Sequence, residues 1–172
     1  AVIYVDEQGA NSIVVVPGAN SCCDIQYLKA HDVLFQNCGY VMFQMEIPKE
    51  AVCYGLTRAK ELGKITILNP APAPDSLPEE IWDKIDFLTP NETELAKLTG
   101  MEAMDEESIR KGARKLLAKG VKHVLVTLGS KGVLLVNHKT EQIFPAKKVK
   151  AVDTTAAGDC FNGAFAAALQ EG

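Results

Sequence analysis

The densest chemistry in the sequence lies in seven residues near its end, Asp153-Thr154-Thr155-Ala156-Ala157-Gly158-Asp159. A β-type run over 149–152 leads into them, and a small-residue helical pattern follows. Small side chains let backbone N–H groups approach an anion closely, and a helix N-terminus adds partial positive charge. An aspartate at that point can take a proton from a hydroxyl while the amides hold charge developing on a phosphoryl group. Phosphoryl transfer needs little beyond such positioning and electrostatic support. The competing readings are that Asp159 merely caps the helix and that Asp153 merely forms a turn. The sequence contains neither G-x-x-x-x-G-K-[ST] nor G-x-G-x-x-G, so the segment is not a Walker A loop or a dinucleotide fingerprint.

Three further groups stand where ligands could reach them. Asn91 and Glu94 are spaced i and i+3 at a helix start and share a face; unaided, they read as a capping box. Thr127-Leu128-Gly129-Ser130-Lys131-Gly132 ends a strand and turns, and its two glycines suit a hairpin. Lys131 reads as a solvated lysine. Glu46 follows an apolar run over 40–45, at the kind of strand end where open α/β sheets bind ligands. By itself it reads as a surface carboxylate.

These groups need a scaffold, and the hydrophobic rhythm supplies one. Runs over 1–5 and 12–16, with Gly9 and Asn11 as turn residues and Pro17-Gly18 as a stop, predict a hairpin. A short helix is expected over 24–30 and a buried strand over 40–45. Pro48 suits a first helical turn, Ala51, Val52, Leu56, Ala59 and Leu62 share one face, and Gly63 stops that helix. Helices over 78–85, 91–98 and 105–119 then alternate with strands over 64–68, 86–89 and 121–128. Asp105 caps the last of these helices, and Gly100 and Gly120 close two of them. Edge hairpins follow at 133–136 and 142–144. Such alternation predicts a right-handed, mostly parallel three-layer α/β/α sheet. The 1–16 hairpin falls outside that rhythm and is expected in a small sheet of its own.

Composition bounds the partners. The 172 residues carry a net charge of −4, with no basic block to suggest a nucleic-acid surface. The longest apolar runs are strand-sized, too short to span a bilayer. The five cysteines (Cys22, Cys23, Cys38, Cys53, Cys160) are odd in number and form no C-x-x-C pair. They read as reduced and mostly buried, in a cytoplasmic protein. Vicinal Cys22-Cys23 as a redox device is the less favoured reading. His31, His123 and His138 are scattered and read as structural.

D-T-T-A-A-G-D-C-F-N-G-A-F, together with F-Q-M-E-I-P, L-N-P-A-P-A, T-P-N-E-T-E-L-A-K-L-T-G and T-L-G-S-K-G in this order, resembles the ribokinase family of carbohydrate kinases over essentially the whole sequence. N-P-A-P-A followed by T-P-N-E-T-E is most like the ribokinase branch of that family. The family commonly has D-T-T-G-A-G-D, and Ala156 stands at the first glycine. The resemblance implies a ribokinase-like α/β/α fold and phosphorylation of D-ribose at its terminal hydroxyl by ATP. Asp159 would be the catalytic base, and the amides of Ala157, Gly158 and Asp159 the anion hole. It further implies ATP contacts at Asn91, Gly158 and the loop Thr127, Leu128, Gly129, Ser130, Lys131, Gly132. Glu46, with Asp159, would contact the sugar. Asp153 and the carbonyl of Thr155 would serve a K⁺ site, and Glu94 would help hold Mg²⁺ through water. The resemblance implies that 1–16 is the end of a β lid through which full-length chains form a homodimer, and that 17–172 is the central and catalytic part of the kinase domain. Members of the family are longer. The part before residue 1 would hold most of the sugar-gripping groups, and the part after 172 the rest of the adenine pocket and cation site. Two rivals remain: another kinase of the family, acting on fructose, a deoxy sugar acid or a nucleoside, or a non-catalytic sugar- or nucleotide-binding relative.

Overall fold

The computed structural model describes residues 2–5, 11–101, 105–151 and 153–171. Strands β1 (Val2–Val5) and β2 (Asn11–Val14) form an antiparallel two-stranded sheet of their own. Asn11, expected in the turn, is instead the first residue of β2, and Val15 and Val16 lie beyond its end. Gly9 falls outside the described residues. Val2, Ile3, Tyr4, Ile13 and Val14 are all exposed.

After a 3₁₀ segment at Gly18–Cys22, Asp24 caps α1 (Ile25–Ala30) through the Tyr27 amide, 2.9 Å away. A second short helix, α2 (Asp32–Gln36), follows at once; it was not expected, because a single turn burying only Phe35 leaves no periodic signal. Strand β3 (Tyr40–Phe43) is two residues shorter than the apolar run that encodes it. Pro48 stands just before α3 (Lys49–Glu61) in an extended conformation, not within its first turn. Gly63, in the left-handed region at φ 68°, follows the helix end. The α3 residues Ala51, Val52, Gly55, Leu56 and Ala59 are buried on one face. A side chain such as Leu56 is worth about 1.5–3 kcal/mol there.

Strand β4 (Ile65–Leu68), a 3₁₀ segment at Glu79–Lys84 in place of the expected α-helix, and β5 (Phe87–Leu88) come next. Then follow α4 (Glu92–Thr99), α5 (Glu106–Ala118), β6 (His123–Thr127), β7 (Val133–Asn137) and β8 (Glu141–Phe144). The chain closes in α6 (Ala157–Glu171). The expected strand over 149–152 is not formed at 149–151; Val149 is 81% exposed with no pairing partner among the described residues, and Val152 lies outside them.

The main sheet has the order β3-β4-β5-β6-β7-β8, parallel through β6 and antiparallel from β6 to β8. One register row joins Phe43, Leu68, Leu88, Val124 and Val136; the neighbouring row joins Met42, Ile67, Phe87, His123 and Asn137. Alternation sends the two rows to opposite faces. The first row belongs to the main core with α3, α4 and α5. On the second face α6 lies across the sheet. Phe165 meets Phe87 edge-on at 5.2 Å, and the Tyr40 hydroxyl donates to the Leu169 carbonyl at 2.7 Å. Helices therefore flank both sides, as the alternation required.

At the N-terminal edge of the sheet, the Asp86 carboxylate accepts from Lys60 (2.8 Å), the Thr66 amide (2.9 Å) and Lys122 (2.7 Å). Burial alone would raise its pKa, but Lys122, Lys60 and the Thr66 amide outweigh that and hold it at about 2. The cysteines are all free, yet none is fully buried, contrary to expectation. Cys22 sits in the 3₁₀ surface segment and Cys160 in the exposed first turn of α6, and both are exposed. No helix among the described residues is long and apolar enough to cross a membrane.

Candidate active site

The parallel strands β4, β5 and β6 end side by side, and the residues that follow them meet the first turn of α6. Between them is a cleft of ≈ 340 Å³. It gathers Asn91, Glu94, Thr127, Thr155, Ala157, Gly158 and Asp159 of the expected site residues, and Ile13 reaches it from the small sheet. Gly129 and Gly132 line an adjoining, more apolar groove with Phe144, Phe161 and Gly158. Leu128 is buried behind the loop, and Ser130 and Lys131 point outward. Glu46 is not brought to the cleft: β3 stops at Phe43, and Glu46 lies exposed in the turn that follows. Asp153 is also outside the lining.

The turn before α6 is shaped by local bonds. Asp153 Oδ1 accepts from the Thr155 amide at 2.8 Å, so the turn-forming role is real; that bond, at an exposed site, keeps its carboxyl below the usual range. Ala156 then takes φ 58°, which costs a residue with a Cβ about 1–2 kcal/mol. This is the position where the family commonly places glycine, so Ala156 fills the role at a backbone cost. The Ala157 amide donates to the Thr154 carbonyl at 3.2 Å. Among the described residues the Gly158 and Asp159 amides meet no backbone acceptor, as the first turn of a helix leaves them. No hydrogen bond from a described residue reaches the Asp159 side chain, so it does not cap α6; it is exposed at the third helical position.

Asn91 and Glu94 do form the capping box. Asn91 Oδ1 accepts from the Glu94 amide at 2.8 Å, and Glu94 accepts from the Asn91 amide at 2.9 Å and from Nδ2 at 3.0 Å. Burial pushes the Glu94 carboxyl up, against the Asn91 amide that lowers it. Next to it, the Thr127 amide donates to the Pro90 carbonyl at 3.0 Å, which ties the glycine loop to the start of α4. The N-termini of α4 and α6 thus converge on one cleft.

Several lining residues carried no chemical expectation: Asn69, Ala71, Thr89, Thr154 and Asn162. Asn162 is 3% exposed in a helix of otherwise exposed or half-buried residues. A lone polar residue between Phe161 and Gly163 was the signal available for it.

Among the described residues the cleft lining contains two acids, Glu94 and Asp159, and no lysine or arginine. Among the described residues no three His, Cys, Asp or Glu side chains cluster as a ready metal cage. Oxygen donors at Glu94, Asp153 and Thr155 suit hard cations, and Mg²⁺ is ordinarily held by one or two carboxylates plus water and substrate phosphates.

This chain is 40% identical to a ribokinase of Staphylococcus aureus over 172 residues, covering 99% of this chain and 56% of that protein. It is 39% identical over 166 residues to a deoxyribokinase of Salmonella typhi, covering 96% and 54%. The structure of Arabidopsis thaliana ribokinase complexed with ribose and ATP matches it with a TM-score of 0.87 at 37% identity, over 99% of this chain and 55% of that one. The chain spans about half the length of these relatives. Residues 1–172 match the pattern of the pfkB family of carbohydrate kinases throughout, and the chain belongs to that family.

Proposed function

We propose that this chain is the central and catalytic portion of a kinase that transfers the γ-phosphoryl group of ATP to the terminal hydroxyl of D-ribose. One observation carries the reading: a carboxylate with no bonded partner among the described residues, Asp159, stands beside two N–H groups without backbone acceptors at a helix N-terminus, over the C-terminal ends of parallel strands. In this reading Asp159 accepts the hydroxyl proton as the sugar oxygen attacks phosphorus. The bond from phosphorus to the bridging oxygen of ADP breaks. The Gly158 and Asp159 amides, with the α6 dipole, hold the charge spread over the transferring oxygens. The Ala157 amide joins them only if it leaves the Thr154 carbonyl.

Asn91, Thr127 and the loop over 128–132 would hold the nucleotide, with the apolar groove beside Gly129 and Gly132 taking its uncharged part. Glu94 and Asp159 in the cleft would repel a polyphosphate, and a cation would relieve that repulsion. Mg²⁺ near Glu94 would neutralise charge between the phosphates and these acids. K⁺ at Asp153 and the Thr155 carbonyl would brace the turn before α6. Residues 1–16 would be the end of a lid, and 17–172 part of the kinase domain. The exposed apolar side chains of β1 and β2 support a homodimer through that lid. Five free cysteines support a reducing compartment, the cytoplasm.

The near-equal identities to a ribokinase and a deoxyribokinase make deoxyribose the second sugar to test. The experiment is sugar-dependent ADP release from Mg-ATP, with and without K⁺, on the longest natural form of the chain. Ribose-dependent release that K⁺ stimulates and that Asp159→Asn lowers by roughly 10²- to 10⁴-fold is the expected result. Release with another sugar alone moves the substrate. No release with any sugar favours the binding-protein reading, and near-normal turnover in a folded Asp159→Asn removes the base assignment.

A further inference from the structure

Asn162 has no part in the chemistry above, yet both ends of its side chain are hydrogen-bonded. Nδ2 donates to the Gly158 carbonyl at 3.0 Å, and Oδ1 accepts from the Thr89 hydroxyl at 2.7 Å. The partners dictate this orientation: a carbonyl can only accept, so the NH₂ group must face Gly158 and the hydroxyl must donate to the oxygen. Thr89 is itself fixed. Its amide donates to the Leu68 carbonyl at 3.0 Å, and its carbonyl accepts from Asn69 Nδ2 at 2.8 Å. Asn69, Thr89 and Asn162 are all buried. A polar chain therefore runs from the ends of β4 and β5 into the first turn of α6.

We propose that Asn162, held by Thr89, is a positioning residue that sets the orientation of the Gly158–Asp159 peptide unit. The inference deepens the phosphoryl-transfer reading and rests on it for its catalytic consequence. A trans peptide is planar, and its C=O and N–H point in opposite directions. Fixing the Gly158 carbonyl towards Asn162 aims the Asp159 amide out of the helix end and into the cleft. The turn is otherwise held by three local bonds, from the Thr155 amide to Asp153 Oδ1, the Ala157 amide to the Thr154 carbonyl and the Cys160 amide to the Ala156 carbonyl, and its side chains add little. Ala156 and Ala157 carry only methyl groups, Gly158 carries none and is the softest backbone unit available, and Ala156 already sits at φ 58°. Asn162 touches neither reacting oxygen nor phosphorus in this assignment; it acts through Gly158.

The test uses the longest natural form of the chain, with Asn162→Ala, Thr89→Val and Thr89→Ser compared with the parent protein. Circular dichroism and thermal unfolding check that each variant folds. Amide hydrogen exchange at residues 158–160 is read without ligand, and kcat and KM are read for ribose and ATP. Asn162→Ala and Thr89→Val should speed exchange at Cys160, whose amide is bonded to the Ala156 carbonyl, by about tenfold for Asn162→Ala, the weight of one hydrogen bond. In Asn162→Ala kcat should fall by roughly 10²-fold, the usual effect of a 1 Å misplacement, while KM for ribose stays within about twofold, because ground-state sugar contacts are untouched. Thr89→Ser, which keeps the hydroxyl, should restore exchange and turnover. Unchanged exchange and kcat in folded Asn162→Ala would overturn the proposal, as would equal behaviour of Thr89→Val and Thr89→Ser. The threonine pair decides if Asn162→Ala does not fold. Should the parent protein release no ADP with any sugar, the kinase reading fails separately, and the exchange data still decide whether the tether exists.

Discussion

Gly132 closes the loop between β6 and β7 at φ 107° and ψ −135°, a conformation that residues with a side chain enter only under strain. An added Cβ would overlap the Phe144 carbonyl oxygen outright. It would also lie 2.8 Å from the Ala146 nitrogen and 2.9 Å from the Phe144 carbonyl carbon. All three are backbone atoms, so no rotamer change relieves the clash. Ordinary carbon–oxygen contact, roughly 3.3–3.6 Å, requires the loop and the end of β8 to part by on the order of 1 Å. That movement strains the bond from the Leu128 amide to the Gly132 carbonyl, 2.8 Å long, and shifts the groove wall at Phe144. Gly129 is the matched control: its φ is 54° and nothing lies within 4 Å of an added Cβ. Gly129→Ala should therefore lose only the left-handed penalty, about 1–2 kcal/mol, a Tm shift of about 2–8 °C for a domain of this size. Gly132→Ala should lose at least about 3 kcal/mol, a shift of roughly 6–12 °C. It should also weaken Mg-ATP binding more than Gly129→Ala does. Thermal unfolding and calorimetric titration with Mg-ATP measure both effects. Equal losses for the two variants, or a milder effect at Gly132, would refute the steric argument.

Other outcomes follow from the ion pairs and caps. Asp86→Ala should destabilise by about 2–3 kcal/mol in urea unfolding; it removes a buried carboxylate whose partners Lys60 and Lys122 can partly turn to water. The Asp86 pKa is depressed to about 2 from 3.8. Its stabilisation, on the order of 2 kcal/mol by linkage, is therefore complete above pH ~5 and is lost as pH falls towards 2. An acid-unfolding series should show that loss in the parent protein and a shallower one in Asp86→Ala. Asn91→Ala should cost about 1 kcal/mol through loss of the α4 cap. Asn91→Asp should keep the bond to the Glu94 amide but replace the Nδ2 donor with an oxygen facing the Glu94 carboxylate, lowering Tm, and should raise KM for ATP because a new negative charge would face the phosphates; an unchanged KM would detach Asn91 from the nucleotide. Leu56→Ala, at a fully buried α3 position, should cost about 2–5 kcal/mol without altering the ratio of kcat to KM among sugars.

Much of this protein is written in short-range signals. Asp24, Asn91 and Asp105 announce helix starts because each can accept from an amide three residues on, and each does. Gly100 marks a helix end because it takes φ 66°. The spacing of Ala51, Val52, Leu56 and Ala59 was enough to choose the buried face of α3. The small-residue loop before α6 was legible for the same reason: it is contiguous, and its backbone geometry depends on its own residues. Where an element needed a distant partner, its bounds were not legible. The run over 149–152 looks like a strand, but strand formation requires a neighbour, and 149–151 have none among the described residues. Glu46 follows an apolar run whose strand ends two residues early, so it stays in an exposed turn. The cleft itself exists only because β4, β5 and β6 run parallel and adjacent, which brings Asn69, Asn91 and Thr127 together with Asp159. Thr89 and Asn162 are 73 residues apart. Sequence alone determined most of the longer elements, their caps and the composition of the α6 turn. The tertiary structure decided which side chains share the cleft and what holds that turn, because hydrogen bonds between elements depend on strand order and register, which no local spacing encodes.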